Sequence, residues 1–280
     1  HGSELEYSMR GRPALETWGR EVLAKAETVF VGSAHIREVL EQVCGHVDRV
    51  HEVPPGVDVD YWRPQPRDEA LAALVAESER DPPNPGNANE RLPDEGNAER
   101  LAAFLAGDGP TVVYFGKLLH NKGVHVLLEA LVGIDARAVI VGFGDYRMEL
   151  EALADPARTL FTGPLEHRHL VHLLALADAC VVPSIFPEAF GMVAAEAAAA
   201  GCPPLVACHS GLAEIAAGLE AEYPEGLRHL ASFETGDVAD LREKLRRLLA
   251  LTPPERAAVS TAARRAAVER WSWTGVAERL

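Results

Sequence analysis

The chain has 280 residues, 48% of them hydrophobic, which is enough for one large or two small domains with a full core. Its formal net charge of −15 argues against a general nucleic-acid or anionic-membrane surface. No apolar run approaches the roughly 20 residues needed to cross a bilayer, and Cys44, Cys180, Cys202 and Cys208 lack CxxC spacing, so they read as reduced thiols, three of them in or beside apolar runs.

The opening His1-Gly2-Ser3 resembles the scar of an expression tag and is set aside. No signal peptide is visible. The first expected elements are a helix from Pro13 to Ala26, a strand over Thr28–Gly32, a helix over Ala34–Val43 and a strand over Arg49–Val53. Pro54-Pro55-Gly56-Val57-Asp58 then makes a turn. Residues 81–97 are rich in proline, glutamate and asparagine with almost nothing apolar, so 68–100 reads as a flexible, solvated insertion flanked by helical pieces.

From Thr111 onward strands alternate with helical patterns: Thr111–Phe115, Ala138–Val141, Thr159–Phe161, Ala179–Val182, Leu205–Ala207 and His229–Ser232. Such alternation predicts an α/β fold with a Rossmann-like, doubly wound parallel sheet. Ligands of such sheets sit at the carboxyl ends of the strands. Gly116, Gly142, Gly163, Pro183 and Cys208 each fall just after an expected strand, hence on one rim.

Two segments on that rim carry chemistry. After Ala179–Val182 comes Pro183-Ser-Ile-Phe-Pro-Glu188-Ala-Phe-Gly191, and then an alanine-rich helix running to Gly201. A strand-to-helix turn of this kind aims free backbone N–H groups at whatever sits above it, which suits an anion. Glu188 precedes the helix and Glu196 lies about two turns in, so an anion there is flanked by two acceptors for hydroxyl groups. Either glutamate alone is more often just solvated. The second segment is Gly116-Lys117-Leu-Leu-His-Asn-Lys122-Gly123. Only four of the 27 basic residues are lysine, and two of those four fall within six positions of this loop. A lysine is a compact, mobile charge suited to phosphate. Phosphate plus sugar hydroxyls describes a nucleotide sugar.

Together these residues resemble the C-terminal, donor-binding half of GT-B-fold retaining glycosyltransferases of family 4. The resemblance covers residues 28–280. It implies that 4–66 is the tail of an N-terminal α/β domain with the crossover, that 67–280 is the donor-nucleotide-binding domain, and that most of the N-terminal domain is missing. It also implies that Lys117 and Lys122 hold the donor diphosphate, with lysine at 117 where the family has arginine, and that Pro55 stands where the family has asparagine. Glu188 is implied to contact the donor sugar and Glu196 the ribose. Gly116 and the backbone of Phe190, Gly191 and Met192 approach sugar and diphosphate. Gly142, in the family's second glycine turn, and Leu165, in the segment bracketing the nucleobase, complete the implied site. The family generally does without a metal or other cofactor. The implied partners are a nucleotide-sugar donor and, through the N-terminal domain, a sugar, lipid or small-molecule acceptor, with no nucleic acid. The implied place is cytoplasmic, peripheral to the membrane in a longer protein if at all, and the isolated chain is expected not to turn over.

The residues leave other readings open. A non-catalytic nucleotide- or phosphate-binding module and a sugar-nucleotide epimerase of the same fold share these features. Gly142-Phe-Gly144 lacks the third glycine of a dinucleotide fingerprint. His209-Ser210 has no nucleophile elbow around it, although Ser210-Gly211 opens a helix that could face phosphate. His167, His169 and His172 share a segment at metal-compatible spacing but read better as a partly exposed histidine-rich helix. His120 and His125 read as loop and surface residues, and Trp271 and Trp273 as packing residues whose partner surface is lost.

Overall fold

The structure, a computed structural model, describes residues 4–107 and 109–278. The three residues read as a tag scar lie outside the described residues. The first unit comprises α1 (Pro13–Leu23), β1 (Val29–Val31), α2 (Ala34–Cys44) and β2 (Val50–Glu52). β1 and β2 pair in parallel, and Val31, Ile36, Val39, Leu40, Val43 and Cys44 form a small core of their own. α1 starts at a proline, whose fixed φ and missing N–H suit a first helical turn. It stops three residues short of Ala26, the expected end.

The remaining elements are α3 (Arg67–Ser78), α4 (Asn97–Leu105), β3 (Thr111–Phe115), α5 (Val124–Leu131), β4 (Arg137–Val141), α6 (Arg147–Leu153), β5 (Thr159–Phe161), α7 (His167–Leu176), β6 (Ala179–Val182), α8 (Met192–Ala199), β7 (Pro204–Ala207), α9 (Ser210–Glu222), β8 (Ser232–Phe233), α10 (Val238–Leu249), α11 (Pro253–Ala266) and α12 (Trp273–Ala277). The six strands from β3 on form one parallel sheet in the order β5-β4-β3-β6-β7-β8. Every residue of β3 and β6 is buried, which is why both read as continuous apolar runs rather than alternating ones. The chain winds outward from β3 through β4 to β5, then returns to β6 on the other side of β3. The strand order therefore reverses between β3 and β6, and a crevice opens beyond the carboxyl ends of such a pair.

Three expectations are corrected here. The segment 68–100 is not a solvated insertion but part of the packed domain. α3 lies along α7 and α4, and Ala70, Leu74 and Leu101 are fully buried. Between those helices polar side chains replace the missing apolar ones. Asn84 is buried, donates to the carbonyls of Asn89 and Pro93, and accepts from Asn89 N–H. Asp94, also buried, receives a two-pronged bond from Arg147 at 2.8 and 2.6 Å, and Asn97 donates to the Thr162 carbonyl. The last strand is Ser232–Phe233, not His229–Ser232, because Glu225–Leu230 coils into a 3-10 stretch. Trp271 has not lost its partner: it is buried in the main core, edge-on to Phe190 at 6.4 Å. Val57 N–H donates to the Trp271 carbonyl at 2.7 Å, so the tail returns to the crossover.

The histidines of α7 are each engaged structurally. His167 packs against Trp62, His169 is fully buried with Nε2 3.1 Å from Asp81, and His172 Nδ1 lies 2.7 Å from the Gln65 side-chain oxygen. Among the described residues no group of three or more His, Cys, Asp and Glu side chains is placed to hold a metal ion. No helix among them is long and apolar enough to cross a membrane.

Candidate functional site

The loop after β3 begins at Gly116-Lys117. The buried Tyr114 hydroxyl donates to the Lys117 carbonyl at 2.8 Å, fixing the backbone beneath an exposed lysine side chain. The chain then makes a 3-10 turn at His120–Lys122 and enters α5 through Gly123 at φ +68°. A β-carbon at Gly123 would stand 1.9 Å from the Pro183 carbonyl oxygen, so only glycine lets the two loops approach so closely. Ile185 N–H donates to the Asn121 carbonyl at 3.1 Å across the same seam. These contacts bring Lys122 Nζ within 2.5 Å of Glu188 Oε1, 66 residues along the chain. Both side chains remain about a quarter exposed. His120 and His125 stack on each other beside Tyr146, and burial with the neighbouring His120 moves the His125 imidazole below its ordinary value.

The loop after β6 leads through Glu188 and Phe190 to Gly191, at φ +119°, and into α8. Ala194 to Ala199 are all buried, so α8 is wedged between β6, β7 and α11 as only a run of small residues allows. The N–H groups of Gly191, Met192 and Val193 have no hydrogen-bond partner among the described residues, as is usual for a helix start awaiting an acceptor. They open on a cavity of about 840 Å³ lined by Gly116, Lys117, Lys122, Glu188, Phe190 and Met192, among others. Tyr7 and Trp273 also line it, and Tyr7 stacks on Phe186 with ring centroids 4.8 Å apart.

Glu196 does not face that cavity. It lines an adjoining hollow of about 370 Å³ with Met192, Trp62 and His167. Glu196 as a whole residue is 9% exposed, and its carboxyl has no hydrogen bond or ion pair among the described residues. Burial pushes its pKa up to about 7. A buried acceptor left unpaired beside a hollow suits a ligand hydroxyl.

Gly142 and Leu165 line neither hollow. A β-carbon at Gly142 would lie 1.8 Å from the Gly116 carbonyl oxygen, and one at Gly144 would lie 2.3 Å from that of Leu118. Leu118 N–H also donates to the Phe143 carbonyl at 2.8 Å. The second glycine turn thus supports the lysine loop from behind. Leu165 is buried, and the turn before it is sealed by the Asp94 segment, since Asp94 N–H donates to the Thr162 carbonyl.

Sequence reasoning missed what His209 and Ser210 do. Glu188 N–H donates to Ser210 Oγ at 2.9 Å, and Gly211 N–H donates to the Glu188 carbonyl at 2.9 Å. His209 Nε2 lies 2.6 Å from the Ser184 carbonyl, and its Nδ1 lies 3.1 Å from Ser210 Oγ. The helix start at Ser210-Gly211, expected as a group that could face phosphate, instead spends its Ser210 hydroxyl and Gly211 N–H on the Glu188 backbone.

A family model described as glycosyl transferases group 1 matches residues 97–266. A D-inositol 3-phosphate glycosyltransferase of Xylanimonas cellulosilytica is 33% identical over 203 residues, 69% of this chain and 43% of that protein. One from Mycobacterium tuberculosis is 30% identical over 275 residues, 94% of this chain and 50% of that protein. The chain thus spans about half the length of the curated relatives it matches. Among solved structures, sucrose-phosphate synthase of Thermosynechococcus elongatus superposes with a TM-score of 0.71 at 21% identity, over 100% of this chain and 64% of that one. HepE of Anabaena, solved with UDP and glucose, superposes at 0.70 and 19%, over 99% and 65%. At such identities these two likenesses speak for the GT-B fold. The family match, which spans every strand of the six-stranded sheet, establishes that the chain belongs to the group 1 glycosyl transferases.

Proposed function

We propose that this chain is the donor-binding part of a glycosyltransferase that moves a hexose from a nucleoside diphosphate to an acceptor with retention of anomeric configuration. The observation that carries it is the Lys122–Glu188 pair, 2.5 Å apart at the reversal of strand order and facing the unpaired N–H groups of α8. A cation, a carboxylate and free amides in one cavity match a ligand with phosphate at one end and hydroxyls at the other. Lys117, Lys122 and the α8 amides hold the diphosphate and stabilise the charge it gathers as the glycosidic bond breaks. Glu188 accepts from sugar hydroxyls and Glu196 from the ribose. With these groups as counter-charge, the proposed reaction calls for no metal.

The domain reading is proposed on the same footing, with 4–66 as an acceptor-domain tail and crossover and 67–280 as the donor domain. Half a cleft holds a donor without orienting an acceptor, so turnover is proposed to need residues beyond these 280. The HepE complexes make uridine the first base to try. Calorimetry with UDP and UDP-glucose tests the reading. Both are expected to bind, and Lys122→Glu is expected to abolish both. Equal affinity in the wild type and that variant overturns the diphosphate role. Glu188-dependent sugar transfer by the isolated chain overturns the half-cleft reading.

A further inference from the structure

Glu188 can serve a sugar only if its backbone stays put, since its loop has no regular structure of its own. Both of its main-chain groups are held by the start of α9, the N–H by Ser210 Oγ and the carbonyl by Gly211 N–H. The Ser210 hydroxyl is itself oriented. A carbonyl oxygen only accepts, so the 2.6 Å contact from His209 Nε2 to Ser184 puts the ring proton on Nε2. Nδ1 is then an acceptor, and the Ser210 hydroxyl donates to it at 3.1 Å. That leaves a lone pair of Ser210 Oγ for Glu188 N–H. One imidazole therefore ties down the front of the loop at Ser184 and, through one hydroxyl, its end at Glu188.

The arrangement costs strain. Ser210 sits at φ +46°, a conformation that favours glycine over a residue with a β-carbon. A glycine would relieve the backbone, and only the hydroxyl makes the bond to Glu188.

We infer that His209 and Ser210 are positioning residues that hold Glu188 for the donor sugar, acting on the sugar end of the ligand and not on its diphosphate end. The inference rests on the donor-binding reading above and adds to it the group that sets Glu188. Lys117 and Lys122 come from the loop after β3, to which neither residue is hydrogen-bonded, so the two ends of the ligand should separate in their response.

The test compares wild type with Ser210→Gly and His209→Phe, measuring UDP and UDP-glucose affinity by calorimetry and stability by thermal unfolding. Ser210→Gly is expected to bind UDP within about twofold of wild type and UDP-glucose on the order of tenfold more weakly. Its unfolding midpoint is expected to match or exceed that of wild type, because the strain is gone. A residue serving only stability would move affinity and stability together. His209→Phe, which keeps the ring but no bond, is expected to show the same split in affinity. Two readouts need no ligand: ¹⁵N shifts of the His209 ring should report the Nε2–H tautomer, and exchange of the Glu188 amide should speed up in both variants. Wild type that binds neither ligand overturns both the donor-binding reading and this inference. Wild type that binds, with variants losing nothing on UDP-glucose or losing UDP equally, overturns this inference alone.

Discussion

The carboxyl edge of the sheet is finished in two opposite ways. Beyond β4 and β5 it is closed by backbone, with Gly142 and Gly144 pressed against the carbonyls of Gly116 and Leu118 and the Gly163 turn covered by the Asp94 segment. Beyond β3 and β6 it is open, and the groups on show are two lysines, a carboxylate and the free amides of α8. Glycines occur on both sides. On the closed side they permit close approach of protein to protein. On the open side Gly123 does the same, while Gly191 sets the helix start facing the cavity. A glycine on a sheet rim is therefore no pointer to a ligand unless a charge stands beside it.

The largest expected effect tests the closed side. Gly142→Ala places a β-carbon 1.8 Å from a backbone oxygen at φ +141°, so a loss of about 3 kcal/mol or more is expected in urea unfolding. A variant that unfolds like wild type but no longer binds UDP would move Gly142 to the open side of the comparison. On the open side, Glu188→Ala is expected to weaken UDP-glucose by roughly 1.5–3 kcal/mol without weakening UDP, whose phosphate then meets an unpaired Lys122, whereas Glu196→Ala weakens both by a similar amount. Equal losses in all four measurements would erase the distinction between the two carboxylates.

A third prediction uses pH. The native Glu196 carboxyl titrates near 7, against an ordinary value of 4.5, so the folded protein keeps a proton that the unfolded chain has already lost. The favourable state holds below pH 4.5. Stability then falls as pH rises to 7 and stays lower above it, by on the order of 3 kcal/mol. Glu196→Gln should lack that fall when unfolding is compared at pH 5 and pH 8. A donor whose ribose hydroxyl meets the carboxylate should bind wild type better at pH 8 than at pH 6. The smallest effect is at Lys117. Arginine there restores a two-pronged grip, so Lys117→Arg is expected to tighten UDP by about threefold or less.

The sheet was legible because its central strands are buried on both faces, and apolar runs such as Thr111–Phe115 and Ala179–Val182 admit few other readings. The lysine and glutamate motifs were legible because lysine is rare in this chain and because both motifs follow strands. Two of the failures share one cause. The 68–100 segment is held by amide and carboxylate side chains such as Asn84, Asp94 and Asn97, and composition cannot distinguish a polar residue facing water from one bonded inside. The His209–Ser210 relay stayed hidden for the same reason, since it needs a carbonyl and an amide that lie more than 20 residues away in sequence. Trp271 was misjudged because its partner, Phe190, is far from it along the chain.

The Lys122–Glu188 pair also bears on ionic strength. Without ligand each charge already has its counter-ion in the other, so a diphosphate arriving at Lys122 performs an exchange and not a simple neutralisation. Added salt screens the bond that is broken as well as the one that is made. The affinity of UDP should therefore fall with salt less steeply than two lysines facing open solvent would dictate. Glu188→Gln, which keeps the shape but removes the resident anion, should make that dependence steeper, because the incoming phosphate then has no rival for Lys122.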